Sequence, residues 1–421
     1  MQPSFRTALS LVASALASAL LALPAHAQSC PGDINTDGVV DGGDLATVLS
    51  SWGGCPVSAP TISQVTPNSG SSAGGTVFFI GGENLNRATS VTVGGVAATI
   101  LAAHPKVIVA TTGASSSLGA KTVAVTTAGG TASASNAFTY TVVAPSWATL
   151  IEALPDPAIV TNATLRAAIT ATGYAWRVRD NATNIEMVLI PPGTFNMGCS
   201  ASNTHGCFSN ESPIHAVTLT NAFYMGRYEV TQAQWTARMG SNPSFIQFPS
   251  AQVPAAQVPN RPVEQVSWNM IQGFLSATGM RLPTDAEWEY AYRAGTTTAF
   301  HGWPAQTAGT NDDTQVGNIA WWGAQSGGNS ISQTRPVGGK APNGFGLHDM
   351  AGNVYEWVND WHSYYASSPV TNPTGPASGS FRVLRGGSWA HDADSLRSSH
   401  RIFSTPGLTS VNVGFRVARA P

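Results

Sequence analysis

Three sets of residues in this chain have types and spacings that can do chemistry. The first is the run Asp33-Ile34-Asn35-Thr36-Asp37-Gly38-Val39-Val40-Asp41-Gly42-Gly43-Asp44. Side-chain oxygens fall at Asp33, Asn35, Asp37, Asp41 and Asp44, Gly38 stands where such a loop turns sharply, and Val39 offers its carbonyl next. Hard oxygen donors at this spacing suit a calcium ion. The second set is the four cysteines, Cys30, Cys55, Cys199 and Cys207. They fall into two local pairs without a Cys-x-x-Cys, so structural staples are expected, Cys30 with Cys55 and Cys199 with Cys207, although four cysteines allow three connectivities. The third is the polar run after Gly386-Gly387: Ser388, Trp389, His391, Asp392, Asp394, Arg397 and His400. Two histidines and a carboxylate are the donor types of an iron or copper site, and Ser388, His391 and an Asp are those of a nucleophilic triad. The spacing enforces neither, and a polar loop facing water accounts for the same residues.

The elements around these residues define a modular chain of 421 residues. Residues 1–27 read as a signal peptide: Arg6, an apolar run over 8–23, Pro24, then Ala25-His26-Ala27 as a small-x-small cleavage site. An uncleaved anchor is the alternative; no other stretch is apolar and long enough to span a bilayer. A secreted, periplasmic or cell-surface location is expected, with no membrane association after cleavage, and export permits disulfides. Charged residues are 10% of the chain, against roughly 25% in ordinary soluble domains. A surface of Gly, Ala, Ser and Thr suits a loop-rich, β-rich extracellular protein. The net charge of −2 and the lack of a basic patch exclude nucleic acid as a partner.

Residues 28–56 form the calcium module, with Leu45, Val48, Leu49 and Trp52 on one helical stripe after the loop. Residues 60–143 alternate with period two: Val91 and Val93, Val107 and Val109, Val123 and Val125, then Phe138, Tyr140 and Val142. Residues 144–182 read as a connector with a short helix over 163–171 and with Trp176 docking on the next domain. Residues 183–421 form that domain, a single large one. Thr231 with Gln234, Ser267, and Thr284 with Glu287 cap three helices that close at Gly240, Gly279 and Gly295. Trp288, Ala291 and Tyr292 face inward on the third, and most of the remainder reads as short strands and long loops.

Three resemblances can be read from these stretches. The calcium loop has EF-hand spacing with Asp44 in the last position, and so resembles a dockerin repeat; a full dockerin has two such loops. This implies either a cohesin-like docking partner or a calcium-folded cap. The stretch PTISQVTPNSGSSAGGTVFFIGGENL (60–85), with VTVGGVAAT after it, resembles an IPT/TIG domain, an all-β immunoglobulin-like sandwich that serves as spacer or interaction module. MVLIPPGTFNMG (187–198), FYMGRYEVTQAQW (223–235), PVEQVSW (262–268), RLPTDAEWEYAYRAG (281–295), GLHDMAGNVYEWVNDW (346–361), RVLRGGSW (382–389) and VGFRVAR (413–419) resemble, in family order, the sulfatase-modifying-factor or formylglycine-generating family. That implies an irregular α+β, C-type-lectin-like domain.

The family resemblance also implies site residues. One structural calcium would use Asp349, the carbonyls of Gly352 and Val354, and Glu356; a second would begin at Asn318 and the carbonyl of Ile319, with partners near Asn329. The family's oxidases hold Cu(I) on a thiolate pair just after the GGS[WY] motif, since soft ligands select Cu(I). Here those positions fall on His391 and near Leu396, and no cysteine comes after Cys207. Tyr355 stands where the oxidases usually have Trp. Copper is therefore not expected, and Cys199 and Cys207 lie in a different segment. The cysteine-free branch of the family implies instead that the loop after GGSW binds an extracellular protein or glycan. The rival expectation is a formylglycine-type oxidoreductase or a related metal-dependent oxidase with a non-thiolate site.

Overall fold

The computed structural model describes residues 32, 34, 39–50, 57–199, 206–250, 253–323, 328–330 and 332–421. The leader, Cys30, Cys55, Trp52 and the loop residues Asp33, Asn35 and Asp37 lie outside them. The described residues form two compact units, 1–59 and 60–421. In the first, helix α1 (Gly42–Ser50) comes directly after Asp41. The buried Asp44 carboxylate accepts the backbone N–H groups of Ile34 (2.7 Å) and Asp41 (2.8 Å), as an acidic residue at a helix start does. Leu45 and Leu49, expected on an apolar stripe, are exposed.

The second unit opens with eight strands: β1 (Thr61–Thr66), β2 (Ser69–Ser71), β3 (Val77–Glu83), β4 (Ser90–Val93), β5 (Val96–Ala103), β6 (Val107–Thr111), β7 (Gly119–Thr127) and β8 (Gly130–Thr141). Their order is β1-β3-β6-β5-β4-β7-β8-β2. The first part of β5 pairs with β4, and the rest pairs with β6 across an irregularity at Ile100–Ala102. One strand thus turns the corner between two layers. Phe78, Ile80, Val91, Val93, Val123, Val125, Phe138 and Tyr140 fill the space between them. In β6 the inward residues are Ile108 and Ala110, not Val107 and Val109.

The C-terminal domain begins earlier than its sequence pattern suggests. Residues 148–180, expected to be a connector with a helix over 163–171, supply that helix, α2 (Ala163–Ala171, capped by the Asn162 side chain), and also two strands, β9 (Ala148–Glu152) and β10 (Arg177–Asp180). With β11 (Glu186–Ile190), β12 (Gly193–Met197), β13 (His215–Leu219) and β14 (Phe223–Gly226), these feed two sheets. Trp176 is fully buried in the domain's core. Helices α3 (Gln232–Met239), α4 (Trp268–Thr278) and α5 (Asp285–Arg293) carry the expected caps, including both capping boxes. Only the end of α5 differs: Ala294, at φ 44°, takes the left-handed position one residue before Gly295.

Further along run β15 (Ala320–Trp321), β16 (Ala351–Gly352), β17 (Tyr355–Trp361), β18 (Val370–Thr371), β19 (Arg382–Arg385), β20 (Arg401–Ser404), β21 (Val413–Gly414) and β22 (Ala418–Arg419). A five-stranded sheet runs β22-β14-β11-β10-β9, so the chain's last strand pairs with β14 at the edge opposite β9, and a four-stranded sheet runs β20-β19-β17-β21. The second sheet sets Glu356 opposite Arg385 and Tyr355 beside Val413. It thereby fixes the walls of the region around residues 386–400. Among the described residues no helix is long and apolar enough to cross a membrane.

Candidate functional site

The turn after β19 is set by Gly386 and Gly387, at φ 92° and 70°. A Cβ on Gly386 would lie 3.0 Å from the Met350 carbonyl, and one on Gly387 2.8 Å from that of Ser395. The backbone therefore bends left-handed in a space that admits no side chain, and Ser388 points inward. Its Oγ lies 2.7 Å from His391 Nδ1 and 3.3 Å from Asn412 Nδ2, which donates to it. The half-buried His391 ring meets Tyr355 edge-on at 5.0 Å. Burial depresses the His391 pKa against the opposing pull of Asp392. Burial pushes the Tyr355 phenol up to about 12. Both stay neutral near pH 7. Ser388 is fully buried, so it cannot reach a substrate as a nucleophile.

Of the expected contact residues, Asp392 and Asp394 are exposed and Trp389 is half-buried, its indole N–H donating to the Val411 carbonyl at 3.4 Å. Arg397 and His400 are corrections: both are interior. The Arg397 guanidinium grips Glu211 through two bonds of 2.7 and 2.8 Å, and its Nε donates to the Asp394 carbonyl. Ser399 adds a third bond to the same carboxylate. Glu211 is fully buried, and a buried carboxylate demands such a partner. Burial, then Arg397 and Arg385, push His400 down to about 3. Glu211 is not among the residues its sequence singles out; its one signal is an isolated acid shortly after the Cys207 staple.

Cys199 and Cys207 form a disulfide, as expected. Distant in sequence from residues 388–400, it lies against them in space: Cys199 Sγ is 4.0 Å from Arg397 Nη1. Phe208, just after it, packs near Arg397 and His400.

The side chains expected to hold calcium in the C-terminal domain already have partners of the protein's own. Glu356 is saturated by the Arg416 guanidinium at 2.6 and 2.7 Å and by the Trp288 indole N–H at 2.7 Å. The guanidinium already balances the charge of this carboxylate. Asp349 accepts the Gly338 N–H at 2.6 Å, while its Oδ1 is buried without a partner, and burial lifts this carboxyl to about 6. The backbone N–H of Val354 donates to Glu229, and that of Gly352 to the Gly386 carbonyl. At the second position Asn318 is exposed and donates to Gln315, while Ile319 is buried. Asn329 donates to the carbonyls of Gly317 and Ala320, and the Lys340 ammonium sits 2.5 Å from the former. A cation of the protein's own already stands there. Among the described residues no three His, Cys, Asp or Glu side chains are grouped to hold a metal.

A family model described as "Sulfatase-modifying factor enzyme 1-like domain" matches residues 177–421, and one described as "IPT/TIG domain" matches 60–140. The formylglycine-generating enzyme of Streptomyces coelicolor is 32% identical over 299 residues, 60% of this chain and 94% of that protein. The serine/threonine-protein kinase pkn1 of Chlamydia caviae is 33% identical over 254 residues, 56% of this chain but 38% of that protein. Among solved structures, Treponema denticola variable protein 1 is 31% identical, covering 56% of this chain and 95% of that one, with a TM-score of 0.48. The chain belongs to the sulfatase-modifying-factor family, carrying its irregular α+β domain behind an all-β TIG domain.

Proposed function

We propose that this is a secreted modular protein in which the sulfatase-modifying-factor scaffold serves extracellular ligand binding rather than oxidation. The observation that carries this reading is the make-up of the loop after GGSW. At the two expected thiol positions stand His391, held by Ser388 and Tyr355, and Leu396, buried in the core. No cysteine comes after Cys207, and Cu(I) needs soft ligands. What reaches the surface is Trp389, His391, Asp392 and Asp394, polar groups on a loop anchored from below by Arg397 and Glu211. Loops held by a rigid scaffold are where recognition residues concentrate. In this reading the leader exports the chain, calcium folds the Asp33–Asp44 loop, and that module is a cap or a docking element for a cohesin-like partner. The ligand is an extracellular protein or glycan.

One observation favours a second reading, a formylglycine-type oxidoreductase. The Cys199–Cys207 disulfide lies beside Arg397, so two sulfurs border the same region from a different segment. The identity with the Streptomyces coelicolor enzyme supports the same reading. The deciding experiment mixes the purified chain with a Cys-x-Pro-x-Arg peptide, copper and oxygen, and monitors the peptide mass. The binding reading expects no aldehyde. Multiple turnovers in the presence of a thiol reductant, which opens the disulfide, that vanish in Cys199→Ser/Cys207→Ser would overturn it and make these sulfurs a new thiolate pair.

A further inference from the structure

Away from the GGSW loop, four aromatic side chains run in a row. Tyr364 lies 5.8 Å from His362, His362 stacks on Phe403 at 3.9 Å, and Phe403 meets Phe381 at 5.4 Å. They come from three places: the stretch after β17, the approach to β19, and β20. Tyr364 is 67% exposed, Phe403 43% and Phe381 41%. Tyrosine and phenylalanine bury large areas when they pack, so a row left open is unusual. At the Tyr364 end it runs into a cavity of about 290 Å³ lined by Trp361, Tyr364, Asp360, Ser363 and Thr374. Pockets that enclose drug-sized ligands run from about 300 to 1,000 Å³, so this one has room for a single small ring.

The charges near this surface are already taken. Residues 363–381 contain no Asp, Glu, Lys or Arg. Arg382, the nearest cation in sequence, is held between the Trp268 and Trp361 rings at 3.8 and 3.5 Å. Arg401, at the cavity wall, is paired with Asp285 at 2.8 Å. Burial and the adjacent Asp285 hold the Asp360 carboxyl well above the ordinary carboxylate range, so it offers a neutral donor at neutral pH. Partly exposed rings, hydroxyls at a rim and no available charge match the two faces of a sugar, apolar C–H and polar O–H.

We propose that this aromatic row and its cavity form a binding site for a neutral polysaccharide chain, with successive pyranose rings stacked on Phe381, Phe403 and Tyr364 and one ring entering the cavity. The site deepens the extracellular-binding reading, and rests on it, but stands on a different surface from the loop of Asp392 and Asp394. The test is native affinity electrophoresis of the full chain in gels containing a soluble β-glucan, a galactomannan or polygalacturonate. Retardation is expected with at least one neutral polymer and not with the acidic one. Tyr364→Ala/Phe403→Ala weakens it at least tenfold, while tryptophan fluorescence reports an unchanged fold. Retention only on polygalacturonate, or none on any polymer, overturns the proposal. So does loss of binding in Asp392→Ala/Asp394→Ala with full retention in Tyr364→Ala/Phe403→Ala, which would locate glycan binding at the GGSW loop instead. Light scattering that shows a dimer broken by Tyr364→Ala/Phe403→Ala would make the row a contact between copies and overturn it as well.

Discussion

In the TIG sandwich the interior is Phe78, Ile80, Ile108, Val123, Phe138 and their neighbours, and no charged side chain is buried there. Its ion pair, Lys106 with Glu83 at 3.2 Å, lies open on the surface. In the C-terminal domain Arg385, Arg397, Arg416, Glu211, Glu289 and Glu356 are all buried. The difference comes from what each backbone does with its carbonyls. Eight paired strands satisfy one another, so side chains are free to be apolar. A loop-rich domain leaves carbonyls inside without a ladder, and arginine, with five N–H donors in one plane, can reach several at once. Arg385 donates to the carbonyls of Ser398 and His400, Arg416 to those of Gly226 and His348, Arg401 to those of Asn210 and Ser363. Each guanidinium then needs a buried carboxylate, and Asp285 with Glu289, Glu356, and Asp285 again supply it. This irregular domain is thus pinned by arginine forks where the sandwich uses strands.

The sharpest way to break this contrast is Arg385→Met. It takes one of two arginine partners from the buried Asp285, which keeps Arg401, and from the buried Glu289, which keeps Arg293, and it leaves two loop carbonyls without these donors. Breaking a buried pair from one side costs about 3–5 kcal/mol. Because residues 60–143 contain no tryptophan, urea unfolding monitored by tryptophan fluorescence reads the C-terminal domain without contribution from the sandwich. A loss below about 1 kcal/mol would show that the forks are not what holds the loops.

A smaller effect comes from a buried carboxylate that no arginine serves. Glu264 accepts the Ile246 N–H at 3.0 Å, its Oε2 has no partner, and burial lifts it to about 7. Its folded pKa is above the unfolded one, so the folded state holds the proton between about 4.5 and about 7. Its stabilising contribution is complete at acid pH and is lost as pH rises through that window. Glu264→Gln should therefore raise stability at pH 8 by about 3 kcal/mol and leave it unchanged at pH 4. Equal effects at both pH values would mean that the carboxyl is not proton-linked to folding. The smallest effect is expected in the sandwich: Lys106→Ala removes an open surface pair, and calorimetry should find no measurable shift in melting.

Much of this architecture is legible in local sequence. Capping residues announce helices because the cap bond spans three residues, and Thr231, Ser267 and Thr284 each cap where expected. The TIG strands are legible for the same reason, except for the face of β6, where Val107, Ile108, Val109 and Ala110 are apolar on both sides and alternation has nothing to report. In residues 148–180 the helix at 163–171 and the docking of Trp176 are legible, but strands β9 and β10 are not, because Arg177, Arg179 and Asp180 make a strand look like a polar connector. Their β partners β9 and β11 are what bury Val178.

The sequence by itself determined that a TIG domain precedes a sulfatase-modifying-factor domain, and the want of a cysteine after Cys207. Each is a property of residue identity and short spacing. Only the tertiary structure decided which polar residues of the GGSW loop face out. Arg397 turns inward because Glu211, 186 residues away, is buried beside it, and Glu356 pairs with Arg416 for the same reason. A charge goes where its partner is, and a partner brought by folding leaves no mark in the local sequence.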